Sequence, residues 1–374
     1  MLKLFEVAGF KNFGHKFSLN FSDVRDYKFN EHCIKDGLLK NCIIYGKNSS
    51  GKTNFGLAIF DIVAHLTGNH VSTGLYDNYL NSDNSANIAY FQYVFQFGSD
   101  IVDYSYEKSS NKTLISEKLL LNGLLILKVR YSSSRIIESD ISGLSKLAPT
   151  LDLSFYTGGS MLRLVLSNAM LGATHPLYKM LMFVSKMLWF RGLRQLVFIG
   201  HTTDIVDYYK FMLDDKSVLA EFQELLISAG INSNLTVEKD PHSGQRNLYS
   251  HTGSKESGKI PFIPTASSGT KALYTLFYWH KTALDTSLLF IDEFDAYYHF
   301  ELAETIVKLL GKRPNTQVLL TSHNTNLLTN RIMRPDCYFI LTPEKLTSFA
   351  NATNRELREG HNLEKLYASG EFYE

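Results

Sequence analysis

Cysteine is scarce in this chain, with three residues, Cys33, Cys42 and Cys337, among 374. So few thiols, so far apart in sequence, exclude a disulfide framework or a thiolate metal site and suit a reducing cytosol. Long apolar runs are missing as well. No stretch reaches the roughly 18 apolar residues that a membrane helix needs. The most lipid-like segment, 161–190, is interrupted by Arg163, Pro176, Lys179 and Lys186, so buried helices are expected there. Neither sign of charge is in excess: 38 Lys plus Arg stand against 37 Asp plus Glu, a net charge of +1. That removes bulk attraction to nucleic acid or anionic membrane and confines any such contact to a local patch. The opening Met1-Leu2-Lys3-Leu4-Phe5 lacks the pattern of a secretion signal. Internal repeats, low-complexity tracts, metal-spaced Cys/His clusters and a Gly-x-Ser-x-Gly nucleophile turn are also lacking.

What is present is a globular composition, 44% hydrophobic with 25 Phe and 21 Tyr, in a chain longer than the roughly 100–200 residues of one ordinary domain. Short apolar runs at 2–7, 17–21 and 38–45 read as strands. The last turns continuously apolar, as a buried parallel strand does, and meets a glycine-rich turn. Phe55, Ile59 and Val63 recur at helical spacing over 52–65. From 88 to 131 the pattern predicts an antiparallel meander, with Asn122-Gly123 marking a tight hairpin. Helices are expected over 161–194 and 205–228, and a loop or hairpin over 233–258. A second strand-and-helix region follows, with helices at 269–284 and 300–310 and strands at 287–292, 316–322 and 336–341. The arrangement implies an α/β sheet split in sequence, with about 90–260 inserted between its halves.

Four features carry chemistry. Gly46-Lys47-Asn48-Ser49-Ser50-Gly51-Lys52-Thr53 fills the phosphate-loop pattern G-x-x-x-x-G-K-[ST] between a strand and a helix. Its backbone N–H groups would cradle phosphate, Lys52 would hold the β- and γ-phosphates, and Thr53 would face Mg²⁺. Leu288-Leu289-Phe290-Ile291-Asp292-Glu293 is an apolar strand ending in two carboxylates, Asp292 suited to the metal and Glu293 to the attacking water. Ser267-Ser268-Gly269-Thr270 opens a helix and reads either as a second anion site or as an ordinary N-cap. Thr321-Ser322-His323 closes another apolar strand and sets an imidazole beside the carboxylates. Lys186, Arg191 and Arg194, interleaved with Trp189 and Phe190, read as a contact for DNA or protein or, more simply, as cations lying along an amphipathic helix.

In this order the four features resemble ABC-type ATPases, in particular the soluble SMC, RecF and OLD-like branch. The opening Phe5-Glu6-Val7-Ala8-Gly9-Phe10-Lys11-Asn12-Phe13, Ser267-Ser268-Gly269-Thr270 and the tail 362–370 look like the short bacterial ATPases of phage-defence and abortive-infection systems. The resemblance implies an ABC head with a parallel phosphate-loop core, its halves at 1–90 and 261–374, around an inserted β-meander and helical region at 91–260. It implies ATP and Mg²⁺ bound by Gly46, Asn48, Ser49, Ser50, Gly51, Lys52 and Thr53, with Asp292 on the metal, Glu293 on water and His323 as the switch histidine. Ser267, Ser268 and Gly269 would then close the site of a second copy, making a homo-oligomer that depends on ATP.

The chain departs from the family where His299, after Tyr298, holds a position often occupied by Asp, and where no Mg²⁺-sensing glutamine can be assigned; Gln92 and Gln96 fall in a strand pair. No nuclease module is recognisable, so effector chemistry is assigned to a separate nuclease or toxin. These features imply an ATP-hydrolysing sensor or scaffold of anti-phage defence. The alternatives are a RecF-like DNA-binding repair ATPase, which the charge does not indicate, and a weakly hydrolysing module that uses ATP as glue.

Overall fold

Asn41–Tyr45 is buried at all five positions, as a strand covered on both faces must be. The structure is a computed structural model that describes residues 1–68, 74–132, 135–149, 151, 159–191, 198–200, 208, 210–240, 244–251 and 258–372. In it Asn41–Tyr45 lies between two parallel neighbours, Gln317–Thr321 and Tyr338–Leu341, with Cys42 opposite Leu319 and Ile43 opposite Tyr338. Leu288–Asp292 and Leu188–Arg191 extend the parallel set beyond Gln317–Thr321. Antiparallel strands Phe198–Gly200 and Leu346–Ser348 finish the two edges. The phosphate-loop strand, the histidine strand and the carboxylate strand are therefore consecutive, and their C-terminal ends share one edge of the sheet.

A second seven-stranded sheet is wholly antiparallel. It runs from Arg135–Asp140 through Leu124–Ser132, Leu114–Leu121, Asp100–Lys108 and Ala89–Phe97 to Leu2–Ala8 and Phe17–Asn20. Alternate burial along Ala89–Phe97 turns Phe91, Tyr93 and Phe95 to the core. The expected hairpin is present, with Leu121 opposite Leu124 and positive φ at Asn122 (51°) and Gly123 (80°), the backbone a primed turn requires.

Helix Lys52–Thr67 lies between the sheets and is apolar nearly all round, as a helix with two covered faces must be. Phe60 meets Phe290 of the parallel sheet at 6.4 Å, and Phe55 meets Phe5 of the antiparallel sheet at 5.7 Å. Gly68, at φ 72°, ends the helix by donating its N–H to Ala64 O.

The expected helix over 161–194 is instead two helices, Met161–Asn168 and Pro176–Ser185, followed by the strand Leu188–Arg191. Pro176 restarts the helix at its first turn under a His175 cap. Leu188, Trp189 and Phe190 pair with Leu289, Phe290 and Ile291, so burial in the sheet overrides helical propensity. The basic and aromatic reading of this segment fails with it: Trp189 and Phe190 are core residues, and Lys186 pairs with Asp285 at 3.0 Å. The Arg191 side chain and Arg194 lie outside the described residues. Within the expected 205–228 helix, Lys216–Ser228 is helical under an Asp215 cap, and 205–207 and 209 lie outside the described residues. The polar 233–258 segment contains the hairpin Asn234–Lys239 with Arg246–His251, joined by Lys259–Pro261.

The segment 91–260 supplies strands to both large sheets, so the antiparallel sheet crosses position 90 and the parallel sheet draws strands from before 90, from within 91–260 and from after 260. Sequence distance also misleads for the three cysteines. All are free and wholly buried, and strand register sets Cys337 beside Cys42. No group of three or more His, Cys, Asp or Glu among the described residues could hold a metal ion, and no described helix is long and apolar enough to cross a membrane.

Candidate functional site

The turn after Tyr45 wraps around its own lysine. Lys52 is 6% exposed, and its ammonium donates to Gly46 O at 2.9 Å and Lys47 O at 3.2 Å. Burial holds its pKa below the ordinary lysine value, against the opposing charges of Asp292 and Glu293. Gly51 has φ 99°, and a Cβ there would stand 2.1 Å from Asn12 Nδ2, so only glycine fits. Asn12 braces the turn from the first hairpin, donating to Ser50 O at 3.3 Å and accepting from Asn54 Nδ2 at 2.8 Å. The Ser50 hydroxyl is buried and has no hydrogen-bond partner among the described residues. Ser49 takes positive φ, and Asn48 is exposed.

Across the sheet edge, Asp292 is wholly buried. Its Oδ2 accepts from Thr53 Oγ1 at 2.6 Å and its Oδ1 from Thr321 Oγ1 at 2.7 Å. Thr321 Oγ1 in turn accepts the Glu293 N–H at 2.7 Å. That bond holds Glu293 in a left-handed backbone, φ 50°, with its side chain exposed at the strand end. A non-glycine residue adopts this conformation at a cost, so the surrounding bonds must fix it. On either side of His323, the Ser322 hydroxyl donates to Asp295 Oδ2 at 2.6 Å and accepts the Asn324 N–H at 2.9 Å. Burial, then the charge of Lys52, lowers the His323 pKa, while Glu293, Asp295 and Asp292 oppose the shift. Burial raises the Asp295 carboxyl above its ordinary value. The imidazole thus feels the loop lysine and all three carboxylates.

This donor set fits a phosphate chain with a hard divalent cation. A cation held only by backbone carbonyls, an unpartnered hydroxyl and a ring of curled backbone offer bonds to an anion, while the Thr53 hydroxyl and Asp292 offer two oxygens to Mg²⁺. Full phosphate-loop sequence, strand-to-helix setting and neighbouring carboxylate strand coincide. This is an α/β fold with a phosphate-loop core.

Residues 205–329 match the family described as "AAA domain, putative AbiEii toxin, Type IV TA system"; the match spans Ser267, Asp292, Glu293 and His323 and begins after the phosphate loop. No curated protein matches the chain. Similar solved structures include an SMC head domain from Thermotoga maritima, at 15% identity, 91% of this chain, 94% of that chain and TM-score 0.41. An SMC head bound to the C-terminal winged-helix domain of ScpA aligns at 14% identity, 93% of this chain, 97% of that chain and TM-score 0.45. An SMC head from Pyrococcus furiosus, with extended coiled coil and bound to the C-terminal domain of ScpA, aligns at 13% identity, 93% of this chain, 96% of that chain and TM-score 0.41.

Within this fold, Lys52, Thr53, Asp292, Glu293 and His323 converge, and Ser267, Ser268 and Gly269 belong to a separate helix start. Ser267 caps helix Ser268–Thr282 by accepting the Thr270 N–H at 3.2 Å. A Cβ on Gly269 would come within 2.9 Å of Tyr297 O, so this cap is packed onto the turn that follows the carboxylate strand. No hydrogen bond among the described residues joins 267–269 to the loop 46–53. His299 precedes helix Phe300–Gly311 without a capping bond. Gln92 is engaged by Tyr90 and Asp103, each at 2.9 Å, within the antiparallel sheet. Asn12, Thr321, Ser322 and Asp295 are the members that sequence reasoning did not assign a role. The hydroxyls of Thr321 and Ser322, directly before His323, were the available signal for two of them.

Proposed function

We propose that the chain binds ATP with Mg²⁺ and hydrolyses it as the sensor or scaffold of a bacterial anti-phage defence system, controlling a separate nuclease or toxin. The observation that carries the nucleotide part is the 2.6 Å bond between Thr53 and Asp292, which joins the loop helix to the carboxylate strand at one point. In this reading Gly46, Asn48, Ser49, Ser50 and Gly51 surround the phosphates with N–H groups and the free Ser50 hydroxyl, and Lys52 exchanges its two carbonyl partners for phosphate oxygens. Thr53 and Asp292 hold Mg²⁺. The metal, when bound, neutralises charge on the β- and γ-phosphate oxygens.

Glu293 orients and deprotonates the attacking water, with its backbone set by Thr321. His323, kept neutral at pH 7 by its lowered pKa, donates one ring N–H to the γ-phosphate. The packed cap at Ser267, Ser268 and Gly269 shares no hydrogen bond with the loop 46–53 of its own chain among the described residues, which supports its use on the loop of a second copy. Dimerisation then follows ATP. The family description of residues 205–329 supports the defence setting.

The test is Glu293→Gln in the full chain, followed by phosphate release, nucleotide affinity and light scattering. Retained affinity, lost turnover and an ATP-stabilised oligomer support the reading. Wild-type turnover in this variant, or a monomer under every nucleotide condition, overturns it. A gel shift on duplex DNA across salt concentrations tests the repair alternative, because phosphate contacts weaken steeply with salt.

A further inference from the structure

The segment 362–372 takes no part in the nucleotide chemistry described above, yet it meets both sides of the site. Its helix Leu363–Ala368 starts under Asn362, whose side chain accepts the Lys365 N–H at 2.9 Å. Leu363 is wholly buried. The chain before the helix is fixed by Asn330, whose amide donates to Arg358 O and Glu359 O at 3.0 Å each and to His361 O at 3.3 Å. Beyond the helix, Glu371 accepts from Thr353 Oγ1 at 2.7 Å and pairs with Arg355 at 3.5 Å, and Phe372 meets Phe349 at 4.3 Å. Both ends are thus anchored away from the phosphate loop, and the middle reaches toward it.

Two side chains one helical turn apart, Glu364 and Tyr367, do so from a shared face. Glu364 Oε1 accepts from Thr325 Oγ1 at 3.3 Å. Thr325 opens the 3₁₀ turn Thr325–Leu327, which is capped by Asn324, and the Asn324 N–H is held by Ser322 Oγ at 2.9 Å. His323 lies between these residues. Glu364 therefore bears on the C-terminal side of the histidine, as Asp295 bears on its N-terminal side through Ser322. Tyr367 packs against Tyr45 at 6.2 Å and stacks on Phe349 at 5.8 Å, and Phe349 lies 6.3 Å from Tyr45. Tyr45 is buried and directly precedes Gly46, so these rings set the strand end from which the phosphate loop starts. A helix that only covered the sheet would need apolar contact alone; a polar bond to Thr325 and a ring against Tyr45 single out two particular segments.

We infer that Glu364 and Tyr367 are positioning residues of the nucleotide site, Glu364 fixing His323 through Thr325 and Tyr367 fixing the phosphate loop through Tyr45. In the proposed ATPase, on which this assignment rests, the first contact aligns the imidazole with the γ-phosphate and the second aligns the loop amides with the phosphate chain. Each contact is local, so its loss loosens one segment without opening the sheet.

The test measures ATP turnover in the full chain and pairs each truncation with a conservative variant. Glu364→Ala should lower kcat by about 5-fold at constant KM, and Glu364→Gln, which keeps an acceptor for Thr325, should restore it. Tyr367→Ala should raise KM for ATP by about 5-fold, and Tyr367→Phe, which keeps the ring, should restore it. In a His323→Ala background the loss from Glu364→Ala should vanish, because the two residues act as one unit. Hydrogen exchange on the nucleotide-free chain reads the same contacts without turnover. Glu364→Ala should speed exchange over 322–328 and Tyr367→Ala over 44–51, each by about 5-fold, with Ala89–Phe97 unchanged. Should Tyr367→Ala fail to fold, Tyr367→Leu takes its place under the same expectations. Unchanged exchange in both segments, faster exchange at 89–97 as well, equal damage from the conservative variants, or a full Glu364→Ala loss without His323 overturns the inference. A wild type with no turnover overturns the ATPase reading instead, and the exchange pattern then decides the positioning roles by itself.

Discussion

Helix Lys52–Thr67 has a polar cluster at each end, and the two are built to opposite rules. Toward its C-terminal half, Asp61 takes hydroxyls from Tyr79 and Tyr106 at 2.8 Å each and the Lys108 ammonium as well. Deeper in the antiparallel sheet, Glu117 accepts from Tyr104 and Ser160 at 2.8 Å, Tyr131 at 2.9 Å and the Met161 N–H at 2.6 Å. Both carboxylates are saturated with donors, as buried charge must be when it serves the fold. At the N-terminal end, among the described residues Lys52 donates only to backbone carbonyls and the Ser50 hydroxyl has no partner, and Glu293 is exposed. Polar groups left short of partners mark where a ligand completes the set; satisfied ones mark structure.

The same substitution at each end should break in opposite ways. Glu293→Gln should lower ATP turnover by about 1000-fold, the range lost with a general base, and leave the melting temperature unchanged. Glu117→Gln should leave turnover intact and cost about 1 kcal/mol of stability, because its hydroxyl partners can turn to suit the amide. Phosphate release and thermal melts on both variants decide. A stability loss at Glu293 or a turnover loss at Glu117 would erase the contrast.

Exchange of the lysines is the next largest effect. Lys52→Ala removes charge-assisted bonds to phosphate and should weaken ATP binding by about 100-fold, with little effect on folding. Lys108→Ala strands the buried Asp61 charge and should cost about 3 kcal/mol, with nucleotide affinity unchanged in the folded fraction. Calorimetric titration and denaturant unfolding separate the two.

The candidate nucleotide cluster was largely legible in sequence and the structural cluster was not, for a physical reason. Phosphate binding forces residue types into a short contiguous pattern, so 46–53 and 292–293 announce themselves. Asp61, Lys108 and Glu117 are set by pairing across sheet registers, and no local pattern marks a carboxylate whose donors lie on other strands. The same limit hid Asp295 and Thr321, whose partners are 27 and 29 residues away. The Asn122-Gly123 hairpin was legible because a primed turn is written in two adjacent residues. The strand Leu188–Arg191 was not, since a short apolar run has no period that separates strand from helix.

Thr321 sharpens the comparison at smaller scale, because its hydroxyl is the one satisfied group that the open site cannot lose. Thr321→Val removes both the bond to Asp292 and the acceptor for the Glu293 N–H, freeing a residue held at φ 50°. Turnover should fall by about 10-fold with KM for ATP nearly constant, the loss of roughly one hydrogen bond of positioning. Thr321→Ser should restore it. A parallel rise in KM, or equal damage from serine, would mean that Thr321 only supports the fold.

The smallest effect belongs to the structural end and is read in pH. His65 bonds Tyr104 OH at 2.7 Å, stacks on Tyr106 at 4.1 Å, and faces Lys108 and Arg163. Burial, then those two cations, holds its pKa well below the ordinary histidine value. Its folded form therefore stays neutral where the unfolded chain takes up a proton, below about pH 6.5. The unfolded state binds more protons in that window, so stability is full above it and falls as pH drops, by up to about 1.4 kcal/mol per pH unit. His65→Gln, which keeps a partner for Tyr104, should flatten the fall in melting temperature between pH 7 and 5. His280, also held down by burial, supplies part of the slope that remains. An unchanged slope in the variant would show that His65 is protonated within the fold and that water reaches this end of the helix after all.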